Sequence, residues 1–379
     1  MATNEQGPAI RRIVFHLNDL GHGGAQRFVS NLANRFAQEN CEVYIATEWY
    51  AEEEFTIDPR IKRVHVGLSE ADEKKGRIAQ FLIRLRNLKR FVQEVRPDVL
   101  VPIAQSANYR GLMACGKSDI PVVISIRTDP NGRYERFGDS FMIRHYFPQA
   151  AGCVYQTEDQ RAFFRPYLQD GTRIILNPVN PKYFNAPRPE REKSVVQHAR
   201  IAESKNHVML ITAFLKVHEK HPDYVLKIYG PDAGDGAWQK TEAFIREQHA
   251  EQFVFLTGDS DSLEQEIPKG SVYAFSSSYE GLPNTLLEAM AMGMPIVATD
   301  CPCGGPKTVI EPEQNGLLVP NNDADAMAQG ILRLIEDREL AERLGENARQ
   351  IRDRTDIDMI FAQWKDYLEE VVRERKRRR

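Results

Sequence analysis

The sequence predicts an α/β protein with two domains, and three observations support that fold class. Strand-like apolar runs alternate with helical runs along the whole chain, a rhythm typical of parallel βαβ units. The 379 residues exceed the length that one hydrophobic core usually spans. A charged stretch studded with prolines, residues 177–190, separates the two halves and suits a hinge. We therefore expect one domain over residues 1–176 and a second over residues 177–379.

Each expected strand is a short apolar run bounded by polar or turn residues. These runs cover residues 13–17, 43–47, 99–101, 122–126, 153–155, 195–197, 224–229, 253–256, 272–275 and 296–298. Residues 77–96 repeat apolar side chains at three-and-four spacing among arginines and lysines, which predicts an amphipathic helix. A last helix is expected over residues 356–373.

Composition indicates a globular protein of a reducing compartment. Apolar residues make up 42% and charged residues 27% of the chain, which does not favour disorder. Residues 1–8 lack a hydrophobic signal region, and no run approaches the roughly eighteen apolar residues of a membrane span. The five cysteines are an odd number without metal-like spacing beyond the pair Cys301 and Cys303. We expect reduced thiols, no structural zinc and a cytoplasmic location.

Charge is unevenly distributed within a net charge of −4. Basic residues concentrate in the helix over residues 77–96 and in the tail over residues 373–379. The outer face of that helix is either solvated or in contact with anionic lipid headgroups, and the tail is either a frayed end or a second such contact. Both alternatives remain open, and no nucleic acid is expected as a partner.

The most informative segment, residues 275–288, sets two carboxylates around a glycine turn that opens a helix. Glu280 lies on the turn and Glu288 one turn into the helix, which Asn284 or Thr285 can cap. The free amide groups at a helix start bind anions, and ionised carboxylates accept hydrogen bonds from hydroxyls. The segment predicts a site for a polyhydroxylated phosphate compound, although two glutamates at this spacing can also merely favour the helix dipole.

A second glycine turn, residues 21–25, follows the first strand and leads into a helix expected over residues 26–38. Gly23 and Gly24 allow a phosphate or sugar to approach the backbone closely. Because Gln26 occupies the sixth position, the turn is not a dinucleotide fingerprint. The turn can also be purely structural. Glu48, at the end of the second strand, is a candidate ribose partner, and His22 faces either a ligand or bulk water.

Arg200 and Lys205 follow the first strand of the second half and precede a helix, which directs them toward a crevice. As an isolated observation they could equally be a solvated pair. Asp259 and Asp261 could hold a metal ion, but their simplest role is to cap a short helix. Arg127 could contact a ligand or form an ion pair with Asp129.

In chain order, these elements resemble the retaining glycosyltransferases of family 4, which have the GT-B fold. Glu280 and Glu288 match the Glu-x₇-Glu element, residues 21–25 match the glycine loop, and Arg200 and Lys205 match the Arg-x₄-Lys-Asn element. The resemblance implies two Rossmann-like domains that face a central cleft. The first is on the acceptor side, the second binds the nucleotide-sugar, and a helix from about residue 356 crosses back onto the first.

Residues 299–306 and 125–130 resemble a branch of the family that builds bacterial surface polysaccharides and lipid-linked oligosaccharides. Three positions depart from the family pattern. Ala199 replaces the usual glycine, while Ile126 and Thr128 stand where many relatives carry glutamate and asparagine.

The resemblance also implies residue roles. Arg200 and Lys205 would clamp the donor diphosphate, and Glu280 would position the transferred sugar; these three form the catalytic set. Glu288 would bind the ribose hydroxyls, and Arg127 is an acceptor-side candidate. The implied donor-binding residues are Gly23, Gly24, Gly230, Gly258, Gly281, Leu282, Asn284 and Glu288.

The implied reaction transfers a hexose or N-acetylhexosamine from a nucleotide-sugar to a glycan acceptor carried on polyprenyl diphosphate. Uracil is the expected base, with guanine as the alternative. The implied mechanism is same-face attack rather than double displacement through a carboxylate. Because fixed cations would stabilise the leaving diphosphate, no metal or other cofactor is expected. The alternatives are a sugar-nucleotide epimerase or phosphorylase on the same fold, and a non-catalytic nucleotide-binding scaffold.

Overall fold

The structure is a computed structural model that describes residues 10–21, 23–116, 118–131, 133–135, 138–168 and 170–377. His22, the N-terminal segment over residues 1–9 and the last two residues of the basic tail lie outside the described residues.

Strands and helices alternate through the described ranges. The strands are β1 (Arg12–Leu17), β2 (Glu42–Thr47), β3 (Lys62–His65), β4 (Val99–Pro102), β5 (Val123–Ser125), β6 (Gly152–Tyr155), β7 (Thr172–Ile174), β8 (Glu192–His198), β9 (Val225–Tyr229), β10 (Val254–Gly258), β11 (Gly270–Phe275), β12 (Ile296–Thr299) and β13 (Leu317–Val319). The helices are α1 (Gly24–Gln38), α2 (Glu70–Glu73), α3 (Arg77–Val95), α4 (Gln105–Cys115), α5 (Asp139–Tyr146), α6 (Glu158–Phe164), α7 (Pro181–Phe184), α8 (His207–Lys220), α9 (Ala237–Glu247), α10 (Leu263–Glu266), α11 (Asn284–Ala291), α12 (Gly305–Val309), α13 (Ala324–Glu336), α14 (Arg338–Ala348), α15 (Arg352–Thr355) and α16 (Ile357–Arg377).

The chain divides into two compact units. One comprises Met1–Ile175 together with Asp358–Arg379, and the other comprises Leu176–Ile357. The boundary between Ile175 and Leu176 lies at the start of the proline-studded stretch. The last helix contributes almost its whole length to the first unit, in keeping with the returning helix of the expected fold.

The first unit is built on parallel strands. One sheet has the order β3-β2-β1-β4 and another the order β5-β6-β7. Parallel bridges between Leu100 and Val122 and between Ile103 and Ser125 connect β4 to the β5 side, so the two sheets continue one another. Helix α16 packs on α1, where the buried ring of Trp364 lies 5.3 Å from the ring of Phe28. The unit is therefore a Rossmann-like layer arrangement.

The second unit has one parallel sheet of order β10-β9-β8-β11-β12-β13. Strands β8 and β11 are neighbours in its centre, with Val195 opposite Val272 and Val196 opposite Tyr273. Their side chains are almost fully buried in the core. Since the carboxyl ends of parallel strands meet at one edge, the loops after β8 and β11 come together there.

The expected α/β class and the two Rossmann-like domains of the GT-B fold are confirmed. Three strands escaped prediction, namely β3, β7 and β13, and each is an edge strand of only three or four residues. Helix α1 begins two residues earlier than expected, at Gly24, and α16 continues to Arg377. Within the described part of the chain, no helix is both long and apolar enough to cross a membrane.

Candidate active site

An ion pair between Lys205 and Glu280 joins the loop after β8 to the turn after β11. The ammonium group of Lys205 donates to Oε1 of Glu280, and each side chain is about one-sixth exposed, at 15% and 17%. Ser277 also donates to Oε1 of Glu280 from 3.2 Å. The two residues, 75 positions apart, thus form a partly buried pair of opposite charges that can face a polar ligand.

Serines at the end of β11 hold the loop that carries Lys205. The hydroxyl of Ser276 donates to the carbonyl of Lys205 at 2.8 Å, and the amide of Ser278 donates to the carbonyl of Ser204 at 2.8 Å. On the other side, the hydroxyl of Thr299 at the end of β12 donates to the carbonyl of Ser277 at 2.7 Å. The position of the ion pair is therefore set by backbone contacts from three adjacent strand ends.

The backbone of Glu280 is held by the loop that follows β12. Its amide donates to the carbonyl of Pro302 at 2.6 Å, while its carbonyl accepts from the amide of Cys303 at 2.8 Å. Burial, together with the negative charge of Glu280, raises the pKa of Cys301 to about 12. That thiol stays protonated at neutral pH and supplies no nucleophile.

Helix α11 begins differently from the prediction. Its N-cap is Pro283 and no side chain caps it, so the expected capping by Asn284 or Thr285 is wrong. The side chain of Asn284 instead accepts a 2.7 Å hydrogen bond from Asn177, which also donates to the carbonyl of Leu282. The amides of Gly281, Leu282 and Asn284 have no acceptor among the described residues. The turn therefore offers free donors to an anion.

Glu288 is buried, with 3% of its surface exposed, and faces the end of β8. Nε2 of His198 lies 2.9 Å from its Oε2. No local pattern singles out His198 except its place at a strand end, two residues before Arg200. The structure thus adds a histidine to the predicted pair of glutamates.

Arg200 is exposed and makes no ion pair with any described residue, unlike Lys205. Its carbonyl faces Nε2 of His207 at 3.4 Å, and Nδ1 of that ring lies 2.9 Å from Oε1 of Gln197. Burial lowers the pKa of His207 to about 4, so its imidazole is neutral at physiological pH. Ala199, the departure from the family glycine, has no positive φ, so its backbone does not require glycine.

Gly230 and Gly258 lie together at the ends of β9 and β10. The amide of Gly230 donates to the carbonyl of Gly258 at 2.7 Å. A Cβ atom at position 230, where φ is 141°, would overlap the carbonyl oxygen of Ala199, so glycine is required there by close backbone approach. At Gly258, where φ is 78°, a Cβ atom would meet open space.

Asp259 and Asp261 do not cap α10. The N-cap of that helix is Ser262, which makes no side-chain capping bond, so the capping prediction is wrong. Oδ1 of Asp259 accepts from the amide of Ser260 at 3.0 Å instead. No group of three or more His, Cys, Asp or Glu side chains suited to a metal ion occurs among the residues described.

In the first unit, Gly23 is the N-cap of α1 and Gly24 its first residue. The φ of Gly23 is −169°, an extended conformation open to any residue. Before this turn, Oδ1 of Asp19 accepts from the amide of Gly21 at 2.8 Å and from Gln26 at 3.2 Å. The turn is thus held by a side chain that the sequence pattern did not indicate.

Arg127 lies over an aromatic ring in the first unit. Its Cζ is 3.4 Å from the ring centroid of Phe28, the side chain that packs on Trp364. Burial lowers the pKa of Arg127 to about 9, so the guanidinium remains charged at neutral pH. The alternative partner, Asp129, accepts from the amide and the side chain of Asn131 at 3.1 and 2.9 Å.

Glu48 belongs to a buried ion cluster at the carboxyl edge of the first sheet. It pairs with Arg110 and, at 3.2 Å, with Arg84. Burial raises the pKa of Glu48, and both arginines oppose that rise. The neighbouring His16 is fully buried, which lowers its pKa to about 3. These contacts fasten α3 and α4 to the sheet.

Two Rossmann-like units are the architecture of the GT-B fold. Two glycosyltransferase family models match the chain: "Glycosyl transferases group 1" matches residues 180–351 and "Glycosyltransferase Family 4" matches residues 22–183. The chain belongs to the family 4 glycosyltransferases.

Two bacterial glycosyltransferases and one solved structure match most of the chain. A Campylobacter jejuni α-1,4-N-acetyl-D-galactosaminyltransferase, named as acting on an undecaprenol-diphosphate-linked glycan, is 22% identical over 95% of this chain and 99% of its own. The lipopolysaccharide 1,6-galactosyltransferase of Salmonella typhimurium is 23% identical over 83% and 87%. The crystal structure of Anabaena Alr3699/HepE with UDP-glucose superposes with a TM-score of 0.74 at 17% identity, over 95% and 99%.

Proposed function

We propose that this protein is a retaining glycosyltransferase that moves a hexose or N-acetylhexosamine from a UDP-sugar to a glycan acceptor. The observation that carries the proposal is the Lys205–Glu280 pair beside the start of α11. A cation, a carboxylate and free amides meet at this turn. A departing nucleoside diphosphate needs the cation and the amides, and a hydroxylated sugar needs the carboxylate.

The residues act on different parts of the donor in this proposal. Lys205 has three donor hydrogens, so it can keep Glu280 while it donates to the diphosphate, and the exposed Arg200 adds a second cation. As the glycosidic bond breaks, its electron pair passes to the leaving phosphate oxygen. The acceptor hydroxyl attacks the same face of the sugar and gives its proton to that phosphate, while Glu280 holds the sugar hydroxyls.

We propose further that the acceptor is a glycan on polyprenyl diphosphate and that no metal is required. The first point is supported by the Campylobacter relative, which is named for such an acceptor. The second is supported by Lys205 and Arg200, whose fixed positive charges can replace a divalent ion at the diphosphate.

The donor class is tested by measuring binding and slow hydrolysis of UDP- and GDP-linked hexoses and N-acetylhexosamines, with EDTA or with added magnesium or manganese. We expect UDP-sugars to bind and to release UDP at equal rates in both conditions. Addition of a polyprenyl-diphosphate-linked acceptor should raise UDP release, and NMR of the product should show the anomeric configuration of the donor.

Other outcomes would indicate other functions. Donor conversion that needs no acceptor hydroxyl indicates an epimerase, and UDP binding without turnover on any acceptor indicates a scaffold. A strict need for a divalent ion would support Asp259 and Asp261 as metal ligands.

A membrane surface as partner is supported by the exposed apolar side chains of α3. Ile78 and Leu82 are 78% and 55% exposed and lie one turn apart. Arg77, Arg86 and Lys89 are exposed on the same helix. Apolar side chains flanked by cations suit the interface of an anionic bilayer.

The double variant Ile78→Ser/Leu82→Ser should therefore bind vesicles containing anionic lipid at least about tenfold more weakly than the wild type, because two apolar anchors are lost. Co-sedimentation with phosphatidylglycerol vesicles measures this, with phosphatidylcholine vesicles for comparison. Phe255→Ser, at a 39% exposed position in the other unit, is the matched control and should bind normally. Equal binding by all three proteins would exclude α3 as the membrane contact.

A further inference from the structure

A buried histidine, His198, holds one of the two glutamates of the site. Its Nε2 lies 2.9 Å from Oε2 of Glu288, and each residue is 3% exposed. The ring lies between Tyr183, with centroids 6.5 Å apart, and Tyr273, with centroids 5.4 Å apart. The hydroxyl of Tyr273 donates to the carbonyl of His198 at 3.3 Å. Ring and backbone are therefore both constrained.

The direction of the hydrogen bond follows from the partners. In the proposed role Glu288 is an ionised carboxylate that accepts from hydroxyls, and in that state Nε2 of His198 donates to it. Nδ1 is buried and has no hydrogen-bond partner among the described residues, which fits an imidazole whose single proton is on Nε2. A carboxylate offers about four lone-pair positions, and His198 occupies one of them.

This contact sets the orientation of the carboxylate. A glutamate side chain on a helix has three rotatable bonds, and a fixed donor restricts which way its remaining lone pairs point. Two adjacent ribose hydroxyls need acceptors in a defined plane, and a misoriented carboxylate would satisfy them poorly.

We infer that His198 is a positioning residue that aligns Glu288 on the ribose diol of the donor, and so determines its selectivity for ribonucleotides. The inference rests on the proposed function, because it takes Glu288 as the ribose contact. In this role His198 acts through Glu288 rather than on the donor directly.

The test compares the affinities of UDP, 2′-deoxy-UDP and 3′-deoxy-UDP by calorimetry for the wild type, His198→Phe and Glu288→Gln. The wild type should prefer UDP to at least one deoxy analogue by about tenfold or more, as expected for a hydrogen bond to a charged group. Phenylalanine keeps the ring but cannot donate, so His198→Phe should bind UDP and both analogues with nearly equal affinity. Its affinity for the analogues should match that of the wild type.

Two further variants separate positioning from folding. In His198→Gln the amide nitrogen can reach the place of Nε2 and should restore the preference, whereas in His198→Asn it reaches only the place of Nδ1 and should not. Thermal melting shows whether each variant is folded. A purely structural role would weaken all three ligands alike, and a full UDP preference in folded His198→Phe or His198→Asn would overturn the inference. If the wild type binds no ribonucleotide, the proposed function itself fails; if it binds UDP and both analogues equally, only the ribose role fails.

Discussion

Glu280→Gln is expected to lower glycosyl transfer by about 10²–10³-fold while UDP affinity stays nearly unchanged. Glutamine has the shape of glutamate and can still accept from Ser277, but it removes the negative charge that pairs with Lys205. The sugar hydroxyls and the positive charge of the reacting carbon would both lose their partner. Steady-state rates with acceptor and calorimetric UDP binding measure the two quantities separately.

The control for Glu280→Gln is Glu266→Gln on α10. Glu266 also pairs with a lysine, Lys269 at 3.0 Å, in the same unit but outside the proposed site. The Glu266→Gln variant should retain wild-type rates of transfer. Intact transfer in folded Glu280→Gln would remove that residue from the reaction, and loss of UDP binding would instead indicate a damaged turn.

Lys205→Ala is expected to lower kcat/KM by about 10²–10³-fold, because the leaving diphosphate loses a fixed cation in a partly buried place. Stability should also fall, since Glu280 would keep a charge without its partner. Arg200→Ala should reduce turnover with little effect on the melting temperature, because Arg200 is exposed and forms no ion pair with the residues described. Initial rates and thermal melting distinguish the two roles.

Lys227→Ala provides the matched control for these cations. Lys227 pairs with Glu192 at 2.6 Å in the same sheet, away from the ends of β8 and β11. The Lys227→Ala variant should keep wild-type activity. If Lys205→Ala and Arg200→Ala both turned over like the wild type, the proposed diphosphate clamp would be rejected.

Much of the fold was predictable because it depends on local patterns. Central strands such as β1 and β11 are largely apolar runs, as burial on both faces demands. The edge strands β3, β7 and β13 escaped prediction because each has only three or four residues, and β3 and β7 are also partly polar, since an edge needs little apolar surface. Their pairing is decided by the neighbouring strand, which lies elsewhere in the sequence.

Parts of the site were predictable for the same reason, and others were not. Glu280 and Glu288 lie on the turn and the helix that their spacing indicated. The predicted cap of α11 was wrong because the side chain of Asn284 accepts a hydrogen bond from Asn177, which lies more than a hundred residues earlier in the chain. Capping propensity is a local preference that such a tertiary hydrogen bond can override.

The amino-acid sequence by itself determined the rhythm of strands and helices, the glycine turn between two acidic residues, and the cations after β8. All of these are properties of neighbouring residues. Only the tertiary structure decided that Lys205 rather than Arg200 meets Glu280, that His198 holds Glu288 from 90 positions away, and that Arg127 lies on Phe28. Each of those contacts joins distant segments, and the packing of strands and helices, which no local pattern records, sets the direction of the side chains.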